Sequence, residues 1–239
     1  MKNIKSFLLA FALMLLNITF VQAHALVIDT GKAGEIGKNH EVRVYYSEFE
    51  DRSLEKVADW YSNVADFQLW LVKPTGERIQ LKTETGDDVY RANFTPKEQG
   101  IHRLEISHIA EDPGDGTDYQ FNAFAQVIVG SKKETSVVTA ESPELILLED
   151  FESKQPGKKQ LKTYFKGKLK EGVTVTIFYP SGKTEDLKSN VAGIVEVDFS
   201  EKGNYFFEAT TYHPEEKGNT QKAPYKSVWR VATQKLVQE

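Results

Sequence analysis

The chain contains no cysteine, and its two methionines, Met1 and Met14, both lie within the first 23 residues. Beyond them there is no sulfur ligand, no thiol nucleophile and no disulfide, so the fold must stand on its hydrophobic core. A bound metal would need nitrogen and oxygen donors. That disfavours Cu(I) and leaves Ni²⁺, Co²⁺, Cu²⁺ or Zn²⁺ through imidazole, or Ca²⁺ through carboxylates. Long apolar runs are also missing. The longest, Phe7 to Leu16, falls well short of the roughly 20 residues that span a bilayer, so no membrane span is expected once it is removed. An excess of basic residues is absent too: 30 Lys and Arg stand against 35 Asp and Glu, a net charge of −5. Such a surface repels polyphosphate and argues against nucleic acid as a partner. Neither a Gly-x-Ser-x-Gly elbow nor a His-Glu-x-x-His pair occurs, so no enzymatic activity is expected.

What is present begins with a leader. Lys2 and Lys5 precede the apolar run, and Val21-Gln22-Ala23 supplies small residues before a cut, so residues 1–23 read as a secretory signal peptide. Cleavage there would place the mature chain in the periplasm or outside the cell, with His24 as its first residue. Its net charge would then fall to −7, because the leader removes two lysines and no acid.

Downstream, short runs of β-branched and aromatic residues alternate with turn signals, the pattern of an antiparallel sandwich. Seven strands are expected near 25–29, 40–49, 66–73, 78–85, 88–95, 100–109 and 119–130. A polar linker over 133–143 leads to seven more, near 144–149, 159–166, 172–180, 183–188, 193–199, 203–213 and 223–233. The two sets match in order. Phe67 to Leu81 parallels Val173 to Leu187, with Pro74-Thr-Gly76 and Pro180-Ser-Gly182 at the same hairpin, and Gln99-Gly100-Ile-His102 parallels Lys202-Gly203-Asn-Tyr205. The expected architecture is all-β: two tandem immunoglobulin-like sandwiches, residues 24–132 and 144–239. Within the first, Leu54, Val57, Ala58 and Tyr61 fall at helical spacing, so a short helical insertion is expected over 49–65. Its aromatics, Trp60 and Tyr61, are candidates for contact with a protein or glycan partner.

The strand order also sorts the histidines. The chain start, the insertion and the end of the sixth strand belong to one rim, which groups His24, Glu48 and His108 as candidate metal ligands. His40 and His102 belong to the opposite rim. His40 reads as a solvated strand-end residue, and His102, at the place of Tyr205 in the second set, as a packing residue. His108 and His213 are each followed by an acidic pair, Glu111-Asp112 and Glu215-Glu216. As a first residue, His24 would offer an α-amine and a ring nitrogen to one borderline divalent ion.

Several stretches together carry a likeness. Ala23-His24 followed by Gly37 to Phe49, and Lys166 to Val175 with Pro180-Ser-Gly182, Gly203-Asn-Tyr205 and Tyr225 to Thr233, resemble a bacterial periplasmic family described as a component of nickel and cobalt uptake. The resemblance covers most of the mature chain. It implies an extracytoplasmic β-sandwich that hands a divalent metal to an inner-membrane transporter, with His24 as candidate ligand. The alternative is a non-catalytic immunoglobulin-like module that binds a cell-envelope protein or glycan.

Overall fold

Alternation of apolar and polar residues sets the strands. In Thr174–Phe178, Val175 and Ile177 are buried while Thr174, Thr176 and Phe178 are half-exposed, the period-two signature of a strand with one face on a core. The computed structural model describes residues 24–49, 53–130, 138–139, 141–151 and 155–239. The leader, with its cleavage site, and most of the linker lie outside the described residues.

Among the described residues, fourteen strands of three or more residues form the frame. The first half contributes β1 (Ala25–Thr30), β2 (His40–Glu48), β3 (Leu69–Val72), β4 (Arg78–Gln80), β5 (Tyr90–Phe94), β6 (Gly100–Ile109) and β7 (Thr117–Val129). The second contributes β8 (Leu145–Glu149), β9 (Lys158–Phe165), β10 (Thr174–Phe178), β11 (Thr184–Lys188), β12 (Ile194–Asp198), β13 (Gly203–His213) and β14 (Ser227–Gln238). The protein is therefore all-β, and the expected strands are found in place.

The two halves are welded through one sheet. Its order is β11-β10-β13-β14-β7-β6-β3-β4, so that each strand of one half sits as far from the centre as its counterpart in the other. At the centre β7 and β14 run parallel, in register from Thr117 opposite Ser227 to Phe124 opposite Gln234. Smaller sheets cover the outer parts: β1-β2-β5 in the first half, and β8-β9 with β12 on β9 in the second. They lie on opposite faces of the shared sheet. Phe121, Ala123 and Ala125 of β7 and Phe206 of β13 point into the first core. Phe124 and Phe207, one residue away, point into the second. Strands at the seam are thus buried on both faces, which is why Phe121 to Val127 is buried without a break.

The hairpin correspondence is geometric as well as sequential. Lys73 N–H donates to Glu77 O and Gly76 N–H to Lys73 O, as Tyr179 N–H donates to Lys183 O and Gly182 N–H to Tyr179 O. Gly100 and Gly203 open β6 and β13 with φ of 129° and 127°. A Cβ on either would sit 2.8 Å from Pro74 or 2.9 Å from Pro180, so each hairpin proline rests on a bare glycine backbone.

The insertion differs from the single helix expected. Ser53–Leu54 pairs with the edge of β2, and two separate 3-10 turns follow, Val57–Asp59 and Val64–Asp66. Ser62 between them takes a left-handed φ of 50°. A short helix is marginal in water, and here burial of one large side chain outweighs it. Trp60 packs among Tyr46, Phe67 and Tyr90, and Val64 is fully buried, so the backbone bends around these anchors. Leu54, part of the expected helical stripe, is exposed.

Glu208 on β13 is the most perturbed acid. Burial, helped by nearby Asp186, pushes its carboxyl up to about 8 from 4.5. Below about 4.5 it is protonated in both folded and unfolded chains, and its contribution to stability is fully present. As pH rises from there through about 8, the unfolded chain sheds the proton first and that contribution is lost. Glu208→Gln should therefore raise the urea midpoint relative to wild type at about pH 9 and leave it nearly unchanged at about pH 4. Gly100→Ala and Gly203→Ala should each cost on the order of 1–3 kcal/mol in the same assay, the strain of an L-residue held at that φ.

Candidate functional site

Register places His24. Ala25 pairs with Ser47, and Ser47 in turn with Leu54, so the residue before β1 lies beside the end of β2 and beside Glu55. His24 Nε2 is 2.7 Å from Glu55 Oε1 and 4.0 Å from Glu48 Oε2. Its ring stacks on Tyr46, with centroids 5.5 Å apart and planes 22° apart. The expected meeting of His24 and Glu48 at one rim is therefore present in outline, with Glu55 the nearer carboxylate.

His108 has different partners. Its Nε2 lies 3.2 Å from Asn63 Oδ1, which also accepts from Glu111 N–H. Burial holds its ring below the ordinary 6.5, against the opposing pull of Asp66 and Glu111. It anchors the insertion, which corrects the expectation that it would stand beside His24 as a third ligand. Among the described residues no group of three or more His, Asp or Glu side chains is arranged to hold a metal ion.

The other histidines are partnered too. His40 is half-buried, not solvated as expected: its Nε2 lies 2.8 Å from Thr30 Oγ1 and its ring leans on Phe94. His102 is buried and also stacks on Phe94, the packing role expected for it. Tyr205, its counterpart, is fully buried and its hydroxyl accepts from Glu201 N–H. The acidic pairs serve as structural contacts: Lys222 reaches Glu111 at 3.3 Å and Asp112 at 3.1 Å, and Glu216 binds Arg230.

Trp60 and Tyr61 part company. Trp60 is 6% exposed and its indole N–H donates to Glu55 O, so it is a core pillar and not a surface contact, which corrects its assignment as a partner-binding residue. Tyr61 is half-buried. Its hydroxyl donates to Asp112 O while its ring meets Tyr119 edge-on, and one side of it faces a cavity.

That cavity has a volume of about 610 Å³. Tyr46 and Tyr61 form one wall, Tyr119 and Phe121 of β7 the floor, and Trp229 of β14 and Tyr212 of β13 the far side. Both halves of the chain are therefore needed to close it. His24, Glu55 and Asp59 supply its charged or polar edge, and neither Lys nor Arg lines it among the described residues. Burial raises the hydroxyl pKa of Tyr46, Tyr61 and Tyr119, so all three stay neutral donors at ordinary pH. Gly114 fits under the floor because it lacks a side chain: a Cβ there would lie 2.8 Å from the Tyr119 ring and 3.3 Å from the Tyr61 hydroxyl.

Sequence reasoning did not find Tyr119, Phe121, Tyr212, Trp229 or Glu55. One local signal existed, the period-two pair Tyr119-x-Phe121, which puts two rings on one face of a strand. The contribution of Trp229, 110 residues away and joined through the seam, leaves no local trace.

No protein-family profile matches the chain, and no curated protein matches it significantly in sequence.

Trp60→Ala should remove the pillar beneath His24, Tyr46 and Glu55. A loss of about 3–5 kcal/mol, as for other buried large-to-small changes, is expected in urea denaturation.

Proposed function

We propose that the protein is a non-catalytic, extracytoplasmic β-sandwich that binds a small ligand, or a single side chain of a cell-envelope partner, in the aromatic cavity. One observation carries this reading: a cavity of about 610 Å³, within the size range of small-molecule sites, is walled by side chains from both halves of the chain. The periplasmic or secreted location, and the description of the halves as immunoglobulin-like, are parts of the same proposal. A binding role without chemistry is favoured by the inventory of the cavity. Thr117, the aliphatic hydroxyl that lines it, is hydrogen-bonded to Ser227, and most of the remaining lining is aromatic ring.

A second reading keeps one observation in its favour. His24 Nε2 lies 2.7 Å from one carboxylate and 4.0 Å from another, so one imidazole and two carboxylates would be the donors to a divalent Ni, Co, Cu or Zn ion. That is the role implied by the likeness to nickel and cobalt uptake components, with an inner-membrane transporter as partner.

The two readings separate experimentally. A ligand-observed NMR screen of chemically diverse small molecules should give compounds that bind the full chain and lose binding to a Trp229→Leu variant. A screen in which every binder is indifferent to Trp229→Leu would sink the cavity reading. Calorimetric titration of Ni²⁺ or Cu²⁺ into the chain beginning at His24, and into the same chain with one residue added before it, tests the metal reading. Equal affinities would remove the N-terminal chelate.

A further inference from the structure

The cavity has a counterpart on the other half of the molecule, and that counterpart is filled. Strand for strand, Glu144 precedes β8 as His24 precedes β1, Phe165 ends β9 where Tyr46 nears the end of β2, and Arg230 lies near the start of β14 as Tyr119 and Phe121 do in β7. These residues converge on the opposite face of the shared sheet. The Arg230 guanidinium is 1% exposed, sits 5.6 Å over the Phe165 ring, and is held by Glu144 at 2.6 Å and Glu216 at 2.5 Å. The second half thus contains an aromatic and acidic recess with its own cation built in.

In the first half the same ingredients line the cavity. The rings of Tyr46, Tyr61, Tyr119, Phe121 and Trp229 line the cavity, Glu55 and Asp59 stand at its edge, and neither Lys nor Arg lines it among the described residues, while the imidazole of His24 is paired with Glu55. Aromatic faces carry negative charge density and attract a cation within about 6 Å of the ring centroid, more strongly where water is excluded. Carboxylates at the rim add attraction of the same sign and raise the local concentration of cations. Anionic ligands meet the opposite field. The hydroxyl of Tyr61 is already committed to Asp112 O, so the wall is better suited to a ring-face contact than to a dense hydrogen-bond network.

We propose that the cavity walled by Tyr61, Tyr119, Phe121 and Trp229 and edged by Glu55 and Asp59 binds a small organic cation with a guanidinium or ammonium head. The inference rests on the cavity reading above and specifies the chemistry of its ligand. The head takes in the first half the place that Arg230 takes in the second. It is either a free metabolite-sized cation or the tip of a partner's basic side chain, and these two sources present the same group to the rings.

The test uses the full chain beginning at His24 and four probes: N-acetyl-arginine amide, its neutral urea isostere N-acetyl-citrulline amide, choline, and its neutral isostere 3,3-dimethyl-1-butanol. Tryptophan fluorescence and calorimetry report binding, because Trp229 forms part of the wall. At least one cation should bind saturably, and tenfold or more tightly than its isostere, a difference that shrinks with added salt. Glu55→Gln, a half-exposed position, should weaken that cation by about tenfold and leave the neutral isostere unchanged. Preference for the arginine probe points to a peptide source, and preference for choline to a free quaternary amine. Equal binding of cation and isostere would overturn the inference while leaving the cavity reading intact. No saturable binding of any probe would also overturn it, and the NMR screen then decides the cavity reading separately.

Discussion

Parallel hydrogen bonding between β7 and β14 is the constraint on which the rest depends. A strand at the end of a sandwich sheet exposes a row of unpaired backbone groups, and here each half uses the other to satisfy them. Side chains reinforce the joint: Asn122 donates to Val231 O, Thr117 meets Ser227, and Gln126 Oε1 accepts from both Gln234 and Glu149 N–H. Thr233 extends it to a third layer by donating to Leu26 O. These hydrogen bonds tie the two strands together at the seam, where a slip by one residue would send every side chain along it to the wrong core. Because the register is fixed, Trp229 arrives beside Tyr119 and the cavity has its far wall.

Much of this frame could be read in the chain. Period-two alternation located the strands, since a half-buried strand must alternate, and the Pro-x-Gly turns revealed the duplication because only glycine tolerates the φ those turns need. The rim shared by His24 and Glu48 followed from strand order alone. What could not be read depends on partners far apart in sequence. His108 was grouped with His24 by the end of the strand it occupies, but Asn63, from the insertion, takes its ring nitrogen. Trp60 counted as one of a pair of aromatics on a loop; its burial depends on Tyr46, Phe67 and Tyr90, which come from three other parts of the chain. The shared sheet was invisible for the same reason. Nothing in Ser227 to Gln234 states that it will lie parallel to Thr117 to Phe124.

The asymmetry between halves is concentrated in the insertion. It delivers Glu55, Asp59 and Tyr61 to the cavity and holds them through contacts that include the Trp60 indole on Glu55 O, the Tyr61 hydroxyl on Asp112 O, and Asn63 on the end of β6. The second half has no such segment between β9 and β10, where the short Lys168–Leu169 strand folds straight back on β9. A common scaffold therefore carries an open recess on one side and a plugged one on the other.

The faces of the shared sheet hold one more consequence. An operation that keeps strand direction but exchanges the two faces of a sheet is a half-turn about an axis along the strands. The order of strands on either side of the seam, and the two cores on opposite faces, obey that operation. A single module pairing its last strand with that of a second copy would form just such a two-fold dimer, the commonest closed assembly of identical subunits. The chain is in this sense a dimer written on one polypeptide. In an assembly of identical subunits each substitution falls twice, once on each side of the axis. Fusion removes that restriction, so one site can keep a cavity while its twin trades its own for a buried arginine.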